Sequence, residues 1–175
     1  MPNDKYLLTI GALHKMIDRL VNDLSVKNAS RMHCNKGCHD CCIDDVSVFE
    51  IEARTIRYFN NSLLKTGIPH PKGLCVFLDN NGACRIYEQR PYVCRTQGLP
   101  LQWIEELENG AKVAMRDICP INEPGIPVES LPEDWCWKIG PFEEQLARLQ
   151  LGLDKGEKMR RVKLRDLFLS APRAP

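Results

Sequence analysis

Four thiols fall within nine positions, Cys34-Asn35-Lys36-Gly37-Cys38-His39-Asp40-Cys41-Cys42, and this stretch restricts the chain more than any other. Adjacent cysteines do not readily bridge each other, and so short a loop leaves little room for acceptable Cα separations in two disulfides. Thiolate ligation of a metal is therefore favoured over oxidation. If the stretch is helical, Cys34, Cys38, Cys41 and Cys42 stand at i, i+4, i+7 and i+8, within an arc of about 100° on one face. Gly37 opposes a regular helix and permits instead a turn whose backbone N–H groups point at sulfur. The doubled Cys41-Cys42 cannot serve one metal ion equally well, so one of the pair is expected at a second centre or as a buried, unligated thiol.

The remaining cysteines follow the same logic. Nine cysteines are an odd count, which argues against a complete disulfide framework. In a reducing compartment they stay thiols unless a metal takes them. Residues Met1 to Ile10 show no secretory leader, and no apolar run is long enough to cross a bilayer, so a cytoplasmic protein without membrane attachment is expected. With 24 basic against 23 acidic residues the formal net charge is +1, and no global field recommends nucleic acid or an acidic substrate.

At 175 residues the chain can build one core without staples. Leu7, Ile10, Leu13, Met16, Ile17, Leu20, Val21 and Leu24 predict an amphipathic helix over residues 5–28, with His14 as a partly exposed residue beside the stripe. Ser47 and Glu50 fit a capping box ahead of a helix over 48–64, which makes Glu50 a structural cap and not a catalytic base. Residues 66–73 read as a loop carrying a solvent-facing His70. Residues 75–87 read as a short hairpin turning at Asn81-Gly82, which brings Cys75 and Cys84 together. Pro91 is placed to open a helical turn presenting Cys94. Residues 101–107 and 112–115 suit a second hairpin, although Glu105 to Glu108 would also suit a helix.

Residues 120–132 form an irregular connection after Cys119-Pro120. Trp135-Cys136-Trp137 reads as packing, and Cys136 is left outside the metal set. Phe142, Leu146, Leu149 and Leu153 predict a further helix, the basic run 155–165 a solvated face, and residues 169–175 a frayed tail. The fold class expected is α+β, mainly helical: a small single domain with short hairpins around a cysteine-rich metal site. Its parts are a helix over 1–30, a metal-binding region over 31–120, a helical extension over 121–168 and the tail.

A desolvated four-thiolate centre retains about two negative charges, which calls for nearby N–H donors and cations. Arg85, Arg90 and Arg95 are the candidates for that role. His33 and His39 flank the thiols and are expected beside the centre or exposed, without ligating.

Taken in order, Cys-x₃-Cys-x₂-Cys-Cys (34 to 42), Val-Ser-x-x-Glu (46 to 50), Cys-x-Phe-Leu (75 to 78), Cys-x-Ile-Tyr-x-x-Arg-Pro-x-x-Cys-Arg (84 to 95) and Cys-Pro (119 to 120) resemble the YkgJ-like cysteine-cluster family, a zinc- or iron-chelating domain. The resemblance covers residues 30 to 120 and implies Cys34, Cys38, Cys41, Cys42, Cys75, Cys84, Cys94 and Cys119 as ligands. Related clusters occur in flagellin lysine methylases, where an iron–sulfur centre is implicated in methyl transfer. No strand-bounded glycine motif for a nucleotide or S-adenosylmethionine accompanies the cysteines here.

Two functions remain open at this point. One is a protein holding an iron–sulfur (4Fe-4S) cluster with a redox, cluster-handling or cluster-assisted protein-modification role, acting on an unidentified protein partner. The other is a structural zinc module that recognises another macromolecule. The absence of two clean Cys-x₂-Cys knuckles favours the iron–sulfur reading. No isolated cysteine stands in a hydrolase context, which makes a cysteine hydrolase a poor reading.

Overall fold

A computed structural model describes residues 4–35, 37–153 and 159–169, and these form an α+β fold of six helices and a few short strands. Helix α1 (Asp4–Lys27) follows the predicted stripe, but its burial is uneven. Ile10, Leu13 and Ile17 are buried, while Met16 and Leu20 keep about two fifths of their surface in solvent. His14 departs from its expected boundary position: it is buried, with Nε2 3.4 Å from the carboxylate of Glu52. A partner 38 residues away makes that burial possible, and no local pattern announces it.

Strand β1 (Ser47–Phe49) leads directly into helix α2 (Glu50–Phe59). The expected capping box does not form. Phe49 occupies the cap in extended backbone without a side-chain hydrogen bond, and Ser47 belongs to the strand. Acceptors from remote segments take over the cap's work: Glu50 N donates to Arg160 O and Ile51 N to Gln150 Oε1. Nor does one helix run on to residue 64. Asn60 hydrogen-bonds through Nδ2 to Ile56 O and breaks the helix, and α3 (Asn61–Thr66) starts afresh.

Helix α2 separates two hydrophobic cores. On one side Ala53 and Ile56 pack with Val48, Phe77, Ile86 and Leu167. On the other, Ile51 packs with α1 through Ile10 and Ile17, and with Leu99, Trp137 and Leu146. The helix also buries two carboxylates in its first turn, where the positive end of the helix dipole favours them. Glu50 is paired with Arg54 and Arg57. Glu52 accepts the N–H of Tyr92 at 2.7 Å and so caps the one-turn helix α4 (Tyr92–Arg95), which Pro91 precedes.

The segment 75–87 forms less of a hairpin than its turn residues suggest. A single antiparallel bridge joins Leu78 to Cys84, and the Asp79 carboxylate accepts the N–H groups of Asn81 and Ala83 inside the turn. The second hairpin is complete: β2 (Leu101–Glu106) pairs antiparallel with β3 (Lys112–Asp117), which settles the helix alternative for residues 105–108 against helix. Strand β4 (Trp137–Lys138) lies parallel to β2. Trp137 is buried, donates through Nε1 to Tyr92 Oη and stacks 5.0 Å from Phe142 at the start of α5 (Gly140–Leu153).

The last elements are tied to the first strand. Strand β5 (Arg161–Lys163) pairs antiparallel with β1, and α6 (Asp166–Leu169) sends Leu167 into the first core. Lys163 pairs with Asp45, and Arg165 with Asp44, so part of the basic run is engaged. Lys155 and Lys158 lie outside the described residues, as do residues 170–175 of the expected tail.

Removing the Glu52 acceptor leaves the buried Tyr92 N–H unpaired, so Glu52→Ala is expected to lower stability by about 1–3 kcal/mol in denaturant unfolding. Glu52→Gln retains an acceptor oxygen and is expected to cost less; equal losses would show that Glu52 acts through its charge.

Candidate metal centre

The loop from Cys34 to Cys42 is a succession of turns. Cys38 N donates to Asn35 O and Cys42 N to His39 O, while Gly37 takes φ +92°, a left-handed conformation open mainly to glycine. The helical arrangement, with all four thiols on one face, therefore does not form. His39 Nδ1 lies 2.9 Å from Gly37 O. A carbonyl only accepts, so Nδ1 is the donor in this contact. The loop lies against the Asp79–Gly82 turn, close enough that a Cβ on Gly82 would stand 2.7 Å from His39 Nδ1.

Four other segments bring thiols to this loop. Cys75 N donates to Cys42 O at 2.8 Å, and Cys75, Cys42 and Cys84 all pack against the first core. Helix α4 carries Cys94. Cys119 and Cys34 are joined through Asn122, which sequence reasoning did not single out. Its side chain is fully buried; Oδ1 accepts His33 N at 2.7 Å, and Nδ2 donates to Gly98 O at 2.8 Å and stands 3.2 Å from Cys34 Sγ. Its own N–H donates to Cys119 O. Gly98, at φ +91°, is pressed so close that a Cβ there would lie 2.8 Å from Cys34 Sγ. An asparagine in an irregular loop carries no pattern by which either role could be read in advance.

The acidities of Cys41, Cys42, Cys75, Cys84, Cys94 and Cys119 reflect their surroundings. A hydrogen bond from the Cys42 thiol, opposed by burial, brings Cys41 down to about 7. Cys42 is correspondingly pushed up, first by that bond, then by burial and by the charges of Cys41, Cys75 and Cys94. Burial raises Cys94, with Cys75, Cys84 and Cys41 adding to the effect. Burial also raises Cys75 and Cys84. Cys119 is raised by burial, then by Cys41, Cys34 and Cys38.

The three arginines place their guanidinium hydrogen bonds elsewhere. Arg85 donates to the carbonyls of Ile68, Val76 and Phe77; Arg90 to Tyr87 O and Asp18; Arg95, buried, to Asp18 and Glu88 O. Through charge, Arg85 still favours the thiolates of Cys75 and Cys84, and Arg90 that of Cys84. His33 is exposed, His70 partly so, and Cys136 is buried with its thiol directed at Pro132 O.

Among the described residues no three His, Cys, Asp or Glu donors stand at metal-coordination spacing. The thiols are gathered but not drawn into one coordination sphere. Their chemistry nonetheless fits a thiophilic metal, since soft sulfur donors suit zinc and iron–sulfur centres and carboxylates take no part in the set. The N–H of Asn122 beside Cys34 and the arginine charges beside Cys75 and Cys84 supply the donors and cations that such a centre needs.

Residues 33–120 match the CxxCxxCC family model, described as "Putative zinc- or iron-chelating domain". The matched segment contains all eight cysteines from Cys34 to Cys119 and leaves out Asn122, Cys136 and Arg165. No curated protein and no solved structure matches the chain.

In reduced, metal-free protein, alkylation of Cys41 is expected to rise with pH through about 7, as its thiolate forms. The other buried thiols should react only at higher pH, and Cys42→Ala should move the Cys41 profile upward. Mass spectrometry across a pH series checks this; a Cys41 profile unchanged by Cys42→Ala would sink the hydrogen-bond assignment. Gly98→Ala, forced to hold a left-handed φ at a cost of about 1–2 kcal/mol and to displace Cys34 Sγ, is expected to lower both the melting temperature and the metal retained after dialysis.

Proposed function

The chain belongs to the CxxCxxCC family of zinc- or iron-chelating domains, and on that footing we propose that it is a metal-binding protein whose thiolates hold an iron–sulfur centre. The observation carrying this reading is the convergence of Cys75, Cys84, Cys94 and Cys119 on the Cys34–Cys42 loop from separate segments, without carboxylates among the donors. Eight thiols exceed the four that a single zinc ion takes, and their spacing is not that of paired Cys-x₂-Cys knuckles. Cys34, Cys38, Cys41, Cys42, Cys75, Cys84, Cys94 and Cys119 would hold the metal. Arg85 and Arg90 would offset the charge of the sulfurs, with Arg95 holding Asp18 against Arg90.

When bound, a 4Fe-4S centre supplies one-electron chemistry at a potential set by its hydrogen bonds and burial. The residues of this chain confine the thiols, hold Cys94 partly buried on α4 and donate an N–H towards Cys34. The role is redox transfer, cluster handling or cluster-assisted modification of a protein partner, in the cytoplasm, where free thiols persist. No helix among the described residues is long and apolar enough to cross a membrane. A structural zinc site is the second reading. The observation favouring it is that the thiol-bearing loops tie remote segments together, as Cys42 does with Cys75 and Asn122 does with Cys34 and Cys119.

Anaerobically purified protein is expected to be coloured and to contain iron and acid-labile sulfide; colourless protein with stoichiometric zinc would replace the first reading with the second. On either reading Cys38→Ser and Cys84→Ser lower bound metal whereas His39→Ala does not. Unchanged metal in both cysteine variants would show that the ligands are misassigned.

A further inference from the structure

We propose that the outer edge of β5 takes an extended, acidic segment of a partner protein as an added strand, giving the basic run around it a binding role. The register of the β1–β5 pair decides which backbone groups are free. Glu50 N donates to Arg160 O and Leu164 N to Val46 O, and Val48 stands opposite Val162. The hydrogen-bonded positions of this antiparallel ladder are therefore Arg160, Val162 and Leu164. The N–H and C=O groups of Arg161 and Lys163 point away from β1. Among the described residues no third strand meets them, since this sheet holds β1 and β5 alone, and both residues are exposed.

That edge opens onto a cleft of about 320 Å³ lined by Arg57 of α2, Arg160, Arg161, Val162, Lys163 and Asp166. Four of the lining residues are cations and one is a carboxylate, so the cleft favours an anionic occupant. Among the described residues the Arg160 guanidinium has no ion-pair partner. Lys163 pairs with Asp45, but the two side chains are 59% and 86% exposed, and so open a pair readily exchanges one carboxylate for another. Arg161 reaches back over β1, donating to Ser47 O and lying over the Phe49 ring, and offers the occupant its backbone groups.

Charged side chains on a short edge ordinarily keep strands apart. Here the charge is of one sign, so it turns away basic edges and admits acidic ones. A nucleic-acid backbone offers phosphate acceptors, whereas this edge presents carbonyl acceptors beside its N–H donors. Nor is an aromatic side chain interleaved in residues 159–165 for bases to stack on. A peptide strand supplies donors and acceptors at the same two-residue interval. Val162 packs on the first core, which leaves Lys163 on the opposite face, where an acidic side chain of the added strand can come beside it.

The test uses the full-length chain, purified anaerobically with its metal. By NMR hydrogen exchange in the free protein, the amides of Arg161 and Lys163 are expected to exchange fast and that of Val162 slowly. A labelled probe peptide, Asp-Val-Asp-Val-Asp, is expected to bind by fluorescence anisotropy and to slow exchange at Arg161 and Lys163. N-methylation of one alternate set of its amides should abolish binding and of the other set should not, because only one set faces the edge. The lysine counterpart of the peptide and a single-stranded oligonucleotide should not bind. Arg160→Glu is expected to weaken the acidic peptide about tenfold while metal content and Val162 protection stay unchanged. Slow exchange at Arg161 and Lys163 in the free chain, no binding of the acidic peptide, binding indifferent to both methylations, or binding of the lysine peptide or the oligonucleotide in its place would overturn the proposal. The wild-type measurements decide it even if the variant fails to fold.

Discussion

Helix α2 has to be buried on two sides at once, and the rest of the architecture is arranged around meeting that demand. A surface helix needs one apolar stripe; this one divides its apolar residues between two cores and must also find partners for two carboxylates. Glu50 is neutralised along the helix by Arg54 and Arg57. Glu52 faces away from them, between His14 of α1 and the amide of Tyr92 at the start of α4. The same carboxylate therefore links the helix that opens the chain to the turn that carries Cys94.

That linkage explains how thiols so far apart in sequence reach one region. None of the short elements bearing cysteine is stable alone: α4 has a single turn, the 75–87 segment one bridge, and the Cys34–Cys42 loop only turns. They are held by what they lean against, namely the first core, the Glu52 carboxylate and the buried Asn122 amide. Burial and neighbouring thiols raise the cost of ionising Cys42 and Cys94, and a bound cation would relieve that cost.

Features with a local cause were legible in the sequence. The α1 stripe, the 101–117 hairpin and α5 follow from period and turn chemistry within their own residues. Ser47 shows where local reading stops: its spacing to Glu50 suits a cap, yet β5 arrives 114 residues later to claim Ser47 for a sheet. His14 and Asn122 share that difficulty, since each acquires its partners from distant segments. The spacing of the cysteines is itself chemical, but where each thiol packs depends on which loop meets which core. The position of Cys42 against the first core could not be told from that of its neighbour Cys41 by composition or spacing.

The pairing of β1 with β5 also bears on the order in which the molecule can be completed. During synthesis β1 emerges early and stays without its partner until Arg161–Lys163 have left the ribosome, and Arg165, which fastens the segment just before Cys75, follows them. Through that interval the wall of the first core that Leu164 and Leu167 later complete is missing, and the thiols against it are more open than in the finished protein. The nascent chain thus presents its sulfurs before it can enclose them, so the last residues to fold set the time at which access narrows.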